Sequence, residues 1–232
     1  MAIIIDESFS DDDFSVLEKV EQRKFGSVDT AKLKIDALTL EKNTELNGLI
    51  SYDLIKDNLT HKLKYQTDGA LHILREMNGS ALLADEVGLG KTITTGLIIK
   101  ECLVRGFVSK ILILTPPSLV DQWVAELDEK FNLNFKIIES ESDWDKSDLV
   151  IASIDKVKIF DNNLGKFRHE KAHEIPWDML VVDEAHKLKQ RNTTRWRFVD
   201  RMQKKRFLLL TATPFQNDLL ELYNLLHLLR RG

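Results

Sequence analysis

One stretch of this 232-residue sequence has the residue types and spacing needed to hold a phosphate group. It reads Asp85-Glu86-Val87-Gly88-Leu89-Gly90-Lys91-Thr92. Glycines let backbone N–H groups approach an anion, a lysine adds positive charge, and a threonine hydroxyl can bind Mg²⁺. An apolar run at 81–84 precedes the stretch and a helical pattern follows it, which is the context that a phosphate-binding loop requires. The alternative is a glycine-rich turn that does no more than begin a helix.

A second stretch, Asp183-Glu184-Ala185-His186, follows the apolar run 179–182. Asp183 is expected to hold Mg²⁺ through its water shell, and Glu184 to orient and deprotonate an attacking water. Functional groups gather at the carboxyl ends of parallel strands, so Asp183 and Thr92 should converge on one ion. We therefore expect Lys91, Asp183 and Glu184 to be the catalytic residues. The alternative is an acidic pair that merely suits a helix dipole.

The elements that must position these residues alternate between strands and helices. Apolar runs predict strands at 81–84, 110–115, 135–138, 149–153, 179–182 and 207–210, with helical patterns between most of them. The strands lack polar alternation, which indicates a mainly parallel sheet covered on both faces, a three-layer α/β fold. We also expect Ser118 to cap a helix that runs to about Phe131. Residues 1–60 carry no motif and are predicted to be a mostly helical accessory segment on a main domain at 61–232.

Composition excludes several classes of protein. The single cysteine, Cys102, cannot support a disulfide framework. The N-terminus lacks the pattern of a signal peptide, and no apolar run approaches the ~18 residues of a membrane span, so we expect a cytoplasmic protein with no membrane partner. The net charge of −4 argues against a protein that coats nucleic acid, yet residues 187–206 carry nine bases and one acid. That stretch is either a solvated basic face or a surface that contacts phosphates or a second lobe.

A zinc-protease spacing also occurs, at His169-Glu170-Lys171-Ala172-His173. Pro176 would end a helix early, and we find no third ligand in helical context nearby, although a zinc site needs three protein ligands. We therefore expect no zinc and keep the metalloprotease as an alternative. The tryptophans Trp123, Trp144, Trp177 and Trp196 are expected to serve packing rather than base stacking.

Together with the phosphate loop and the acidic pair, four further motifs occur in a defined order along the chain. They are Lys64-Tyr65-Gln66, the run 114–123 that contains Pro116-Pro117-Ser118, Ile151-Ala152-Ser153, and Leu210-Thr211-Ala212-Thr213-Pro214. Over about 64–229 the sequence resembles the Swi/Snf-type branch of the superfamily 2 helicase-like ATPases. It is most similar to the bacterial and archaeal type, which includes the RNA-polymerase-recycling ATPases. That family's phosphate loop itself begins with aspartate, as Asp85 does here.

The resemblance implies a RecA-like domain with ATP and Mg²⁺ as its cofactors, and it assigns roles to particular residues. Gln66, whose carboxamide offers both a donor and an acceptor, sits where the family reads adenine. The implied ATP-binding residues are Tyr65, Gln66, Asp85, Glu86, Val87, Gly88, Leu89, Gly90, Lys91 and Thr92. Pro116, Pro117, Ser118 and Ser153 would face nucleic acid. His186, Thr211, Ala212 and Thr213 would couple the state of ATP to that face.

The family's motors have two RecA-like lobes, and the second lobe supplies arginine fingers that raise turnover about 10³-fold or more. This chain ends at Arg231-Gly232, just after the last helix of the first lobe. We therefore expect it to bind Mg-ATP and to hydrolyse it poorly without the missing lobe. The implied partner is duplex DNA or a nucleoprotein complex. A non-catalytic nucleotide-binding module that regulates a partner is the other class left open.

Overall fold

The computed structural model describes residues 46–59, 63–84, 90–212 and 219–229, and the first 45 residues of the predicted accessory segment lie outside it. Its main strands are β1 (Ala81–Leu83), β2 (Ile111–Thr115), β3 (Lys136–Ile137), β4 (Leu149–Ser153), β7 (Trp177–Val182) and β8 (Lys204–Leu210). They form one sheet in the order β1-β8-β7-β2-β4-β3, and every neighbouring pair is parallel. β5 (Phe160–Asp161) and β6 (Lys166–Phe167) form a separate antiparallel pair.

The described helices are α1 (Ile50–Ile55), α2 (Lys64–Glu76), α3 (Lys91–Val104), α4 (Val120–Phe131), α5 (Ile154–Val157), α6 (Lys171–Glu174), α7 (Thr194–Asp200) and α8 (Leu219–Leu229). The prediction that Ser118 caps α4 is wrong. Pro117 begins a 3₁₀ turn, Pro117–Leu119, so Ser118 lies inside that turn. α4 then starts at Val120 with Leu119 at its N-cap and no side-chain cap.

Two apolar clusters lie on opposite faces of the sheet, and this arrangement confirms the three-layer α/β prediction. In β2, Ile111 and Ile113 belong to the cluster that α1 to α4 cover, whereas Leu112 and Leu114 belong to the cluster on the other face. Successive strand residues point to opposite faces. A strand buried on both faces must therefore be apolar at every position, which is why the sequence shows no alternation.

Residues 46–59, which we assigned to the accessory segment, lie in the same compact unit as the sheet. The fully buried carboxylate of Glu101 on α3 accepts the amide hydrogens of Ile50, at 3.1 Å, and Ser51, at 2.7 Å. Arg105 Nε donates to the same carboxylate at 2.5 Å. Burial alone would raise the pKa of Glu101, but these hydrogen bonds outweigh it and the pKa is lowered. α1 is thus held by its unpaired N-terminal amides.

Two further properties of the described residues bear on the sequence analysis. Cys102 is completely buried in α3, and burial raises the pKa of its thiol to about 11. The helices in the part of the chain that the structure describes include none that is both long and apolar enough to cross a bilayer.

Candidate nucleotide site

The parallel sheet brings the ends of its strands, and the motifs that follow them, to one edge. Thr115 at the end of β2 pairs with Ser153 at the end of β4. The chain leaving β7 continues this edge, because the Asp183 amide donates to Leu114 O at 2.8 Å. The chain leaving β8 does the same, because the Thr211 amide donates to Leu83 O at 3.0 Å. Motifs far apart in the sequence therefore meet at the carboxyl edge of the sheet.

The phosphate loop leaves β1 at this edge and ends at the first turn of α3. Asp85, Glu86, Val87, Gly88 and Leu89 lie outside the described residues. Gly90 has φ +86°, a left-handed conformation that glycine adopts without strain, and it directly precedes α3. Lys91 and Thr92 form the first turn, and the N-terminal end of a helix favours an anion.

Gln66 lies against the end of this loop. A β-carbon built on Gly90 would stand 3.1 Å from Gln66 Nε2 and 3.4 Å from its Cγ. The structure thus brings the residue predicted to read adenine beside the loop predicted to hold the phosphates. Tyr65, its neighbour on α2, has an exposed fraction of 61%.

Asp183 is buried and its carboxylate is held by three donors. Trp123 Nε1 donates to Oδ2 at 2.9 Å, and Thr115 Oγ1 donates to the same oxygen at 3.3 Å. The amide of Glu184 donates to Oδ1 at 2.8 Å. Trp123 packs in the core as predicted, but its bond to Asp183 was missed. No pattern in the sequence points to this bond, because it depends on β2, the strand before the helix of Trp123, standing beside β7 in the sheet.

Glu184 is one of the few non-glycine residues with a positive φ among the described residues, at +52°. A non-glycine residue in this region costs on the order of 1 kcal/mol, and such strain recurs at functional sites. Oε2 of Glu184 lies 2.9 Å from His186 Nδ1, so the acid and the histidine of the motif lie next to each other. Thr211, the residue that follows β8, is buried. Its predicted coupling role, with that of Ala212, stays a prediction. Thr213 lies outside the described residues.

The loop predicted to contact nucleic acid stands at the end of β2. Pro117 and Ser118 are exposed and Pro116 is buried. The contact of these three residues and Ser153 with nucleic acid stays a prediction. Behind the loop is a cleft of about 330 Å³. Its lining consists of Pro117, Val120, Asp121, Ile137, Ile138, Glu139, Ser153, Asp155 and Lys156. Carboxylates outnumber lysine there, so the cleft itself does not favour phosphate.

Part of the basic stretch at 187–206 pairs with acids of the same domain. Its cations reach acids on other elements in four ion pairs: Lys189–Glu221 at 3.0 Å, Arg195–Asp155 at 2.6 Å, Arg201–Glu170 at 2.6 Å and Lys205–Asp178 at 2.9 Å. Asp178 also accepts bonds from Ser109 and Lys110; burial would raise its pKa, but these partners hold it well below its usual range. Four of the nine bases in this stretch therefore have acidic partners within the protein itself, without nucleic acid.

The zinc-protease spacing does not form one helical face. α6 begins only at Lys171, and His169 lies in the preceding turn. His169 Nδ1 accepts from Trp144 Nε1 at 3.1 Å, and His173 Nε2 lies 2.9 Å from Phe198 O. Glu170 accepts from the Phe167 amide and from Arg201. In the described ranges no group of three or more His, Cys, Asp or Glu residues is arranged to hold a metal.

Residues 65–232 match the protein family described as the SNF2-related domain. The uncharacterized ATP-dependent helicase YqhH of Bacillus subtilis is 46% identical over 170 residues, which cover 73% of this chain and 29% of that protein. The RNA polymerase-associated protein RapA of Actinobacillus pleuropneumoniae is 41% identical over 172 residues, 63% of this chain and 17% of that protein. The chain thus spans less than a third of these relatives.

A solved structure shows the same fold. The SWI2/SNF2 ATPase core of Sulfolobus solfataricus in complex with dsDNA superimposes with a TM-score of 0.65 over 75% of this chain and 37% of that one. Sequence identity in this comparison is 24%, so the likeness concerns the arrangement of the sheet and helices.

Proposed function

The chain belongs to the SNF2-related family of helicase-like ATPase domains, and on this premise we propose that it binds Mg-ATP as the first half of a two-lobed, DNA-dependent translocase. The observation that carries the proposal is the meeting of the strand ends at one edge of the sheet. There, Gly90 and Lys91 begin α3, Gln66 lies against Gly90, and the Asp183–Glu184 pair leaves β7.

Each residue at this edge has a chemical task in the proposal. The first turn of α3 offers amides and the Lys91 ammonium to the phosphates. Thr92 and Asp183 would hold Mg²⁺, and oxygen ligands of this kind suit that ion. Bound there, Mg²⁺ would neutralise charge on the phosphates. Gln66 donates to and accepts from the adenine edge, with Tyr65 beside it.

Glu184 is the proposed general base. Its carboxylate takes the proton of the attacking water, and general-base catalysis of this kind contributes about 10²–10⁴-fold. His186 stands beside that carboxylate, with its Nδ1 2.9 Å from Oε2. Through His186, Thr211, Ala212 and Thr213, the state of the site would reach the nucleic-acid face formed by Pro116, Pro117, Ser118 and Ser153.

We propose duplex DNA, alone or within a nucleoprotein complex, as the partner. The archaeal core was solved with dsDNA, and RapA is named for its association with RNA polymerase. A second lobe would complete the site with arginine residues, so this chain alone should bind ATP and turn it over slowly. Such arginine fingers contribute about 10³–10⁵-fold.

The test combines binding of a fluorescent ATP analogue with ATP turnover, with and without duplex DNA. We expect Mg²⁺-dependent binding, near-background turnover, and loss of binding in Lys91→Ala. The control is Lys100→Ala, on the same helix but two turns beyond the site. Equal binding by both variants would refute the phosphate loop. Rapid turnover stimulated by DNA would refute the half-motor, and a nucleotide-dependent change in affinity for a protein, with no DNA effect, would instead favour a regulatory module.

A further inference from the structure

The hydrogen bonds around Asp183, the proposed ligand of Mg²⁺, restrict how its carboxylate can be oriented. A carboxylate has about four lone-pair sites on its two oxygens. Trp123 Nε1 and Thr115 Oγ1 occupy both sites of Oδ2, and the Glu184 amide occupies one site of Oδ1. Among the donors that the described residues supply, none takes the second site of Oδ1. These hydrogen bonds thus direct the carboxylate toward a metal-bound water through that one site.

We propose that Trp123 is a positioning residue for magnesium, with Thr115 as its second support. This inference rests on the proposed function, because it concerns how Asp183 serves the metal. The indole of Trp123 does not touch nucleotide or metal; it acts by fixing one rotamer of Asp183. Groups that orient a metal ligand in this way typically change metal affinity about 10–100-fold when they are removed.

The burial of these residues supports a fixed geometry. Trp123 has an exposed fraction of 3%, and Thr115 is fully buried. A hydrogen bond from an indole to an ionised carboxylate is charge-assisted, and it is stronger than a bond between neutral groups. Water has little access to replace either donor. Loss of the indole N–H would therefore leave Oδ2 undersatisfied and free the carboxylate to rotate.

The same two bonds also join this carboxylate to the loop at the end of β2. Thr115 is the last residue of β2, and Trp123 lies in the first turn of α4. The 3₁₀ turn Pro117–Leu119 lies between them. Both ends of the loop proposed to face nucleic acid are thus bonded to one oxygen of the proposed metal ligand.

The experiment measures the affinity of the chain for a fluorescent ATP analogue in saturating Mg²⁺ and in EDTA, and takes the ratio. We expect Trp123→Phe to lower this ratio about 10-fold and to leave the affinity in EDTA unchanged. Thr115→Val, which preserves shape, should lower it less, because its bond is longer at 3.3 Å. If Trp123→Phe fails to fold, Thr115→Val tests the inference in its place.

The matched control is Trp177→Phe. Trp177 is equally buried, and its indole donates to the Ala172 carbonyl at 2.9 Å, in the other core cluster. For Trp177→Phe, the ratio of affinities in Mg²⁺ and in EDTA should equal that of the wild type. In an Asp183→Asn background, Trp123→Phe should lower the ratio no further, because the two residues act through one group.

Three results would overturn the inference. A wild-type ratio in both Trp123→Phe and Thr115→Val would show that the bonds do not matter for magnesium. An equal loss of affinity with and without Mg²⁺ would reduce Trp123 to a packing residue. If the wild type itself binds no nucleotide, the proposed function fails first, and this inference falls with it.

Discussion

The carboxamide of Gln66 lies directly against Gly90, so close that a β-carbon at position 90 would stand 3.1 Å from Gln66 Nε2. The two residues belong to different elements: Gln66 lies on α2, and Gly90 lies in the phosphate loop, directly before α3. Their contact links the part of the site proposed to read the base with the part proposed to hold the phosphates. The absence of a side chain at Gly90 is what permits the approach.

Gln66→Ala tests the base-reading half of this contact. We expect the preference for ATP over GTP to fall, because alanine offers neither the donor nor the acceptor that an adenine edge requires. Loss of one or two hydrogen bonds to a neutral group corresponds to about 5–10-fold in relative affinity. Competition of each nucleotide against a fluorescent analogue measures it. Gln122→Ala, on the surface of α4, is the control, and an unaltered preference in Gln66→Ala would remove this residue from base reading.

Glu184→Gln tests the proposed general base. In a version of the protein that carries the proposed second lobe, it should keep nucleotide affinity and reduce turnover by about 10²-fold or more, since the amide cannot accept the proton. Single-turnover hydrolysis in the presence of duplex DNA is the measurement. Glu174→Gln, an exposed carboxylate on α6, should behave as the wild type. Turnover that survives in Glu184→Gln would place the base elsewhere.

Glu101→Gln tests how α1 is held on the domain. The amide nitrogen of glutamine would face the donors of Ile50, Ser51 or Arg105, so we expect a loss of about 2 kcal/mol in the free energy of unfolding. Urea denaturation measures this loss. Glu126→Gln is the control, because that carboxylate forms a partly exposed pair with Lys130 on α4, and such pairs contribute about 0.3–0.5 kcal/mol.

The same variant makes a prediction about pH. The pKa of Glu101 is lowered in the folded protein from its usual value of 4.5. The stabilisation from its carboxylate is therefore complete above the unfolded pKa and is lost as the pH falls through the folded pKa. The difference in stability between the wild type and Glu101→Gln should shrink from neutral pH to about pH 3. A difference that does not change with pH would contradict the lowered pKa.

Gly96→Ala tests the packing of α3 on α4. A β-carbon at Gly96 would stand 2.3 Å from Phe131 Cε2, and Phe131 is fully buried. We expect destabilisation of about 1–3 kcal/mol in thermal or urea unfolding, because the overpacked ring must move. Gly69→Ala in α2 is the matched control, since its nearest neighbour lies at 4.0 Å. It should stabilise by up to about 1 kcal/mol, so the two helical glycines should respond with opposite signs.

The sequence by itself determined the fold class and the positions of the motifs along the chain. Runs such as Ile111–Thr115 are apolar at every position, and only a strand buried on both faces requires that pattern. The carboxyl-edge rule then predicts where Asp183 and Ser153 stand, because parallel strands all end on one side. These inferences need only local periodicity and the direction of each strand, and both are properties of short segments.

Only the tertiary structure decided which side chains meet. The order of strands in the sheet places β2 beside β7, and this neighbourhood brings Trp123 within 2.9 Å of Asp183. Likewise, the seating of α1 on Glu101 depends on residues 50 positions apart. His169 and His173 have the spacing of metal ligands, yet their ring nitrogens face Trp144 and Phe198. Spacing fixes distance along one element, whereas contacts between elements depend on strand order and on how the helices pack, and no single segment encodes either.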